Sequence, residues 1–324
     1  MLLWSRRTGG DQPDLTITVP IAVSPTRPTK STNLLNTPPL QLLLDPQGPR
    51  TKDQHINPPK NNSTTATKKS AKMRTLGLLG GMTYHATAEY YKTINARVQE
   101  RLGGNASAVL VMHSVNYADM IGHFRAGNHA ECSRQLCVAG RNLASIGADA
   151  IVLCVNTSHM WADAIEQAAG VPLLHIIDFT AEEIKRKQLP QPQPQEPQGK
   201  KTVVALLGTS ATLEGDFIKG RLRDRHGLEV LVPPAEGGLR ERMDAAIFGD
   251  LPRHVVTEEC RAMFIDAAKD LVGQGARGVI LGCTELMMVI KPGDLGEDVF
   301  LYDTVELHAK GVADWAVEED KPAA

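Results

Sequence analysis

The stretch TLGLLGG, residues 75–81, decides the fold class of this chain. It is short, apolar and closed by glycines, which is typical of a buried parallel strand that ends in a tight turn. The runs SAVLVMHSV (107–115), DAIVLCV (149–155) and LLHII (173–177) have the same character. Between them lie longer segments, such as 86–102 and 131–148, whose apolar residues recur at helical spacing. This alternation predicts an α/β fold with parallel sheets covered by helices on both faces.

The pattern occurs twice. Leu78-Leu79-Gly80 recurs as Leu206-Leu207-Gly208, and Gly147-Ala148 recurs as Gly275-Ala276, both at an offset of 128 residues. A constant offset between separate anchors indicates a duplicated unit. We therefore predict two pseudo-symmetric three-layer domains with parallel sheets, and an active site in the cleft between them, because ligands of such sheets bind at the carboxyl ends of the strands.

Composition divides the chain further. Residues 1–72 hold ten Lys/Arg against four Asp and are rich in Pro, Thr and Ser, so we predict a disordered basic tail. A first domain is expected over 73–187, an exposed Pro/Gln linker over 188–199, and a second domain over 200–299. Residues 300–318 are expected to form a strand and a helix that pack back on the first domain.

Global features exclude several classes of protein. The net charge of −2 and the aromatic content of 4% do not indicate a nucleic-acid or membrane partner, and the apolar runs are too short to span a bilayer. Five cysteines without regular spacing favour a reducing compartment over a disulfide framework. We expect a cytoplasmic protein, with organelle targeting by the tail as the alternative. A homodimer is the default assembly.

The segment LGCTE, residues 281–285, places a thiol, a hydroxyl and a carboxylate directly after a predicted strand. A thiolate at a helix N-terminus has a lowered pKa, and a thiol whose pKa lies near neutrality can accept and donate a proton in turn. Cys283 is therefore the candidate acid–base residue, with Thr284 and Glu285 beside it. The competing interpretation is a buried cysteine that only fills space.

Other candidates stand at equivalent turns. The offset places Asn156, Thr157 and His159 at the matching strand end of the first half, where amide and hydroxyl groups could hold a carboxylate or simply cap a turn. Met82 and Thr209 lie in the glycine-containing turns after the first strand of each half. These turns lack the dinucleotide and phosphate-loop patterns, and no metal-ligand spacing occurs. Cys132, Cys137 and Cys260 fall in helical patterns and are expected in the core.

Four segments in this order resemble the aspartate/glutamate racemase family of cofactor-independent racemases: LGLLGGMTYHATAEYY, NTSH, LLGTSATLEGDFIKGRL and LGCTE. The resemblance covers about 245 residues. It implies removal of an amino acid's α-proton by one thiolate, return of a proton by a second thiol on the opposite face, and no pyridoxal cofactor. It also implies that Cys283 is one thiol and that Asn156, Thr157, Thr209 and Thr284 hold the substrate α-carboxylate.

The chain departs from the family pattern where the first thiol belongs, because that position is Val155. Cys154 is one residue away, but successive side chains of a strand point to opposite faces. The sequence most resembles the broad-specificity amino-acid racemase branch, in which this position is Thr. Met120 and Leu251-Pro252 lie near the positions where aspartate-specific members carry a basic pair, so an uncharged or mixed range of amino acids is expected.

Three functions stay open on the sequence. The leading hypothesis is an amino-acid racemase, an isomerase, with Cys283 as its main acid–base residue. A second is a decarboxylase or isomerase of the same superfamily that uses one thiol, which Val155 would suit. A third is a degenerate amino-acid-binding module that has lost catalysis together with the missing thiol.

Overall fold

Two parallel sheets organise the part of the chain that the structure, a computed structural model, describes: residues 73–188 and 202–318. The predicted tail 1–72 and nearly all of the predicted linker 188–199 lie outside these residues. The strands are β1 (Leu76–Gly80), β2 (Leu110–Ser114), β3 (Ala150–Leu153), β4 (Val203–Leu207), β5 (Glu229–Leu231), β6 (Gly278–Leu281) and β7 (Phe300–Asp303). The helices are α1 (Tyr84–Leu102), α2 (Tyr117–Arg125), α3 (His129–Ser145), α4 (Ala162–Ala169), α5 (Ile176–Gln188), α6 (Ser210–Glu214), α7 (Asp216–His226), α8 (Leu239–Phe248), α9 (Glu258–Gly273), α10 (Leu286–Val289) and α11 (Thr304–Val317). Short 3₁₀ helices cover Thr157–Trp161 and Leu251–Arg253.

The two sheets repeat one topology. The first has the order β2-β1-β3 and the second the order β5-β4-β6-β7, with every pair parallel. Strands β3 and β6 are separated by the predicted offset of 128 residues, since Ala150 corresponds to Gly278 and Leu153 to Leu281. The predicted α/β fold with two pseudo-symmetric parallel-sheet halves is therefore confirmed.

Two sequence runs differ from their prediction. The run LLHII, predicted as a strand, contributes only a bridge from Leu173 to Ile151, and Ile176 already begins α5. Strand β2 was predicted as buried, but it is an edge strand whose residues are only half-buried or exposed. Hydrophobic runs of four or five residues occur both as strands and as the first turn of a buried helix, so the short length of LLHII did not distinguish the two structures.

Helix caps position the elements next to the cleft. Helix α1 begins after Thr83, whose hydroxyl accepts a hydrogen bond from the amide of Ala86, and its residues Tyr90, Ile94 and Val98 form a buried stripe. Helix α11 begins after Asp303, whose carboxylate accepts from the amides of Val305 and Glu306. Such caps satisfy amides that would otherwise lack a partner, which is worth about 1 kcal/mol each.

Each half contributes a helix to the core of the other. Ile177 of α5 is buried in a cluster with Leu206 of β4, although α5 belongs by sequence to the first half. In the same way Val305 of α11 is buried in a cluster with Leu78 of β1. Both pairs are related by the offset of 128, so the exchange obeys the pseudo-symmetry. Burial of each such side chain contributes roughly 1.5–3 kcal/mol, so this exchange ties the two halves together.

Residues 300–318, predicted to return to the first domain, divide between the halves. Strand β7 pairs with β6 in the second sheet, whereas α11 packs against α1 and α5. The limits predicted for the domains remain predictions. Within 73–188 and 202–318, no helix is long and apolar enough to cross a membrane, and no group of His, Cys, Asp and Glu could hold a metal ion.

Candidate active site

A cleft of about 680 Å³, mouth included, opens at the carboxyl ends of the strands. The turns after β1, β3, β4 and β6 all reach it, as the topology requires. It is lined by residues of both halves: Met82, Thr83, Tyr117, Met120, Ile121, Phe124, Val155, Asn156, Thr157, Ser158, Trp161, Thr209, Ile247, Phe248, Pro252, Cys283, Thr284 and Glu285. Every predicted site residue except His159 is in this lining.

The thiol of Cys283 is paired with a carboxylate. Cys283 Sγ donates to Glu285 Oε2 at 3.1 Å, and the Thr284 hydroxyl donates to the same oxygen. The other carboxylate oxygen, Oε1, accepts from the Thr83 hydroxyl of the first half at 3.3 Å. Cys283 and Glu285 are each only 9% exposed. Glu285 therefore orients the thiol and holds the two walls of the cleft together.

The pKa of Cys283 is raised well above its ordinary value, whereas a lowered value was expected. Burial of the thiol is the largest cause, and the negative charge of Glu285 is the next. The expectation rested on a helix N-terminus, but α10 begins only at Leu286 and has four residues, too few to offset these effects. At neutral pH the resting side chain is a neutral thiol, ready to donate a proton.

Val155 faces the cleft and Cys154 does not. Val155 is half-buried in the lining and packs against an apolar cluster that includes Met82 and Met120. Cys154 is fully buried on the other side of the sheet, in a cluster with Tyr90, and burial raises the pKa of its thiol. The alternation of side chains along β3 thus keeps the second thiol of this segment away from the cleft.

Three hydroxyl groups join the halves at the floor of the cleft. Thr157 Oγ1 lies 3.3 Å from Thr209 Oγ1 and 3.2 Å from Thr212 Oγ1, and the last two lie 3.0 Å apart. Each hydroxyl can donate one hydrogen bond and accept two, so the three mutual bonds use all three protons, and a bound carboxylate would take over one or more of them by rotation of the hydroxyl groups. Groups of this type can bind a carboxylate.

The side chain of Asn156 is fixed by a hydrogen bond to the second half. Its Nδ2 donates to the Thr304 hydroxyl at 3.0 Å, and that hydroxyl donates to the Leu281 carbonyl at 2.8 Å. The residue is only 2% exposed, and within the described part of the chain its Oδ1 accepts no hydrogen bond. A buried acceptor without a partner is costly, which favours a donor arriving with a ligand.

His159 lies behind the cleft and supports it. Its Nε2 accepts from the amide of Ile176 at 3.2 Å, so Nδ1 carries the proton and donates to the Val155 carbonyl at 2.8 Å. Burial lowers the pKa of His159 to about 4, so the ring is neutral. His159 therefore holds the turn that contains Val155 and Asn156.

Gly81 shapes the turn that presents Met82. Its φ of +97° is strained for other residues, and a Cβ would lie 2.2 Å from the Val115 carbonyl oxygen. The glycine of this turn is thus required by the close approach of the segment that follows β2.

Sequence reasoning missed the apolar wall of the cleft. Helix α2 contributes Tyr117, Met120, Ile121 and Phe124 at positions i, i+3, i+4 and i+7. This spacing was visible in the sequence, but it indicates equally a face packed on the core. Of the two segments expected near the missing basic pair, Met120 and Pro252 line the cleft, while Leu251 is fully buried behind it.

The other cysteines are helical. Cys132 of α3 is buried, whereas Cys137 of α3 and Cys260 of α9 are only half-buried. None of the three lines the cleft.

Comparison with known proteins defines the class of the chain. Residues 79–312 match the profile of the Asp/Glu/hydantoin racemases. The broad-specificity amino-acid racemase RacX of Bacillus subtilis (strain 168) is 27% identical over 217 residues, which are 66% of this chain and 87% of RacX. The chain therefore belongs to the Asp/Glu/hydantoin racemase family, and the predicted resemblance and isomerase class are confirmed.

Solved structures agree with this assignment. A candidate Asp/Glu racemase from Yersinia pestis superposes with a TM-score of 0.67 and 36% identity, covering 76% of this chain and 100% of that one. An aspartate racemase homologue from Pyrococcus horikoshii OT3 superposes with a TM-score of 0.61 and 29% identity, with the same coverage.

Proposed function

We propose that this chain is an amino-acid racemase that needs no pyridoxal cofactor and uses Cys283 as its acid–base thiol. The observation that carries the proposal is the buried pair of Cys283 and Glu285, 3.1 Å apart, at a cleft lined by both halves. The likeness to the broad-specificity racemase RacX supports an amino-acid substrate.

The α-carboxylate would bind at the hydroxyl cluster. Thr157 and Thr209 face each other across the two halves there, and Thr284 lies beside the thiol. Asn156, anchored by Thr304, fixes the turn on which Thr157 lies.

Cys283 would exchange protons with the substrate in two steps. Its thiol proton passes to the Glu285 carboxylate, and the thiolate then removes the α-proton, which leaves a carbanion stabilised by the substrate carboxyl group and a neutral thiol. Return of that proton restores the starting enantiomer, whereas a proton delivered to the opposite face inverts it. Val155 cannot deliver that proton, so water or a hydroxyl of the cluster donates it and recovers a proton from Glu285 through solvent. Inversion is therefore slow.

An exchange experiment tests this function. The protein is incubated in D₂O with a panel of L-amino acids, the α-proton is followed by NMR, and the products are separated by chiral chromatography. We expect α-deuteration with slow appearance of the D-enantiomer, both lost in Cys283→Ala. The matched control is Cys137→Ala, a half-buried cysteine outside the cleft. Exchange that persists in Cys283→Ala refutes the role of this thiol.

Val155 also favours a second candidate, a decarboxylase that uses one thiol. In such a reaction, loss of CO₂ from an α-substituted malonate leaves a carbanion, and Cys283 donates a proton to one face of it. A single stereoisomer of the product, absent with Cys283→Ala, supports this candidate. If an α-substituted malonate is converted equally well by Cys283→Ala, the candidate is wrong.

A third reading, a binding module without catalysis, makes a distinct prediction. It requires that amino acids bind in calorimetry while no α-proton exchanges. Exchange in the wild-type protein therefore removes it.

A further inference from the structure

One wall of the cleft consists of apolar and aromatic side chains, interrupted by the Tyr117 hydroxyl, whose pKa is raised by burial and by the nearby Glu285 and Cys283. Helix α2 lines it with one stripe, Tyr117, Met120, Ile121 and Phe124. Trp161 continues the stripe from the end of the 3₁₀ helix after β3, with its ring centroid 6.5 Å from that of Phe124. These aromatic rings meet nearly edge to face, an arrangement that favours a rigid surface.

The second half closes the same wall. Ile247 and Phe248 at the end of α8, with Pro252 in the following 3₁₀ helix, also line the cleft. Apolar side chains of both halves therefore converge on one volume beside Cys283. Since this volume is continuous with the proton-transfer site, the group that fills it is part of the molecule that reacts there.

The described lining of the cleft contains a negatively charged side chain and no basic one. Among the described residues that line the cleft, Glu285 carries the only full charge, and Lys, Arg and His are absent. Arg125 lies outside, with its guanidinium carbon 5.8 Å from the centroid of the Phe248 ring. A substrate side-chain carboxylate would lie against apolar groups, with no cation in the lining and in the same cleft as the Glu285 carboxylate.

The extent of the wall favours a large side chain. It runs from Tyr117 on α2 to Phe248 on α8, beside about 680 Å³ of space that includes the open mouth of the cleft. Alanine would leave much of the apolar wall in contact with water. A phenyl or branched aliphatic group would cover it.

We propose that the substrate is an amino acid with a large apolar side chain, aromatic or branched aliphatic, bound against the wall formed by α2, Trp161 and Phe248. The inference rests on the proposed function for the reaction, and on the lining alone for the side chain. Discrimination by an apolar pocket amounts to about 10–200-fold for each methylene-sized difference. We therefore expect kcat/KM for L-phenylalanine and L-leucine to exceed that for L-alanine and for L-glutamate by at least about 100-fold.

The test compares five amino acids as substrates of the full-length protein: L-phenylalanine, L-leucine, L-alanine, L-glutamate and L-aspartate. Rates of α-proton exchange in D₂O give kcat/KM for each. Faster exchange of the two apolar probes supports the inference. Exchange of glutamate or aspartate at an equal or higher rate overturns it, as does a preference for alanine.

A substitution in the wall tests its contribution to side-chain specificity independently of the proton-transfer groups. We expect Phe248→Ala to lower the ratio of kcat/KM for L-phenylalanine to that for L-alanine about 10-fold, because a ring that covers the larger substrate is removed. The matched control is Phe300→Ala, which removes a ring 42% exposed on β7, outside the cleft, and should leave the ratio unchanged. An unchanged ratio in folded Phe248→Ala overturns the assignment.

Calorimetric titration with the same probes distinguishes failure of the inference from failure of the proposed function. If no probe exchanges its α-proton but L-phenylalanine binds at least about 10-fold more tightly than L-glutamate, the racemase proposal fails and the apolar specificity stands. If L-phenylalanine binds no better than L-glutamate, the specificity is wrong whatever the reaction.

Discussion

The proposed mechanism predicts that replacement of Val155 by cysteine adds a proton donor on the second face of the substrate. Val155 and Cys283 are related by the offset of 128 and both line the cleft, so the introduced thiol would face the substrate from the other half. A positioned acid or base contributes about 10²–10⁴ in rate. The introduced thiol would lie in the apolar cluster around Met82 and Met120 and would stay protonated, which suits donation better than abstraction. We therefore expect inversion of the L-enantiomer to rise about 100-fold, the lower end of that range.

Chiral chromatography against time, with NMR of the α-position in D₂O, measures this effect. The matched control is Val155→Ala, which differs from the cysteine variant only by the thiol group. The loss of a methyl-sized group costs about 1 kcal/mol of stability, so urea unfolding of Val155→Cys should show a fold that is weakened but intact. If folded Val155→Cys inverts its substrate no faster than Val155→Ala, the two positions do not face one substrate and the pseudo-symmetric mechanism is refuted.

Three further outcomes are expected. In Glu285→Gln, loss of the negative charge should let Cys283 ionise at lower pH. The pH profile of Cys283 alkylation by iodoacetamide, measured by peptide mass spectrometry, should then shift downward. An unchanged profile contradicts the pairing. Thr157→Val should raise KM about 10-fold with less effect on kcat, because it removes one hydroxyl of the cluster proposed to bind the carboxylate; an equal loss in both substrate binding and turnover argues against this role. Burial lowers the pKa of His159 to about 4 and that of His308 to about 3, so the unfolded chain binds these protons first and stability is lost as pH falls from about 6.5 towards these values. His159 alone accounts for about 3 kcal/mol of this loss, and a free energy of unfolding that is constant in urea titrations from pH 7 to pH 4.5 contradicts it.

The sequence by itself determined the duplicated α/β architecture and the position of the cleft. The offset of 128 makes Val155 the counterpart of Cys283, and both lie in the lining of the cleft. This inference succeeded because parallel strands end at one edge of a sheet, so residues that follow corresponding strands must gather there. The prediction that Cys154 points away rested on an equally local rule, the alternation of side chains along a strand.

Only the tertiary structure decided which apolar surface meets which partner. The stripe of α2 has the spacing of a core-packing helix, and nothing in that spacing shows that it borders the cleft. The exchange of α5 and α11 between halves, and the burial that raises the pKa of Cys283, likewise depend on neighbours distant in the chain. A pattern of residues specifies the face of an element, whereas the environment of that face, and with it the proton affinity of a thiol, is set by what packs against it.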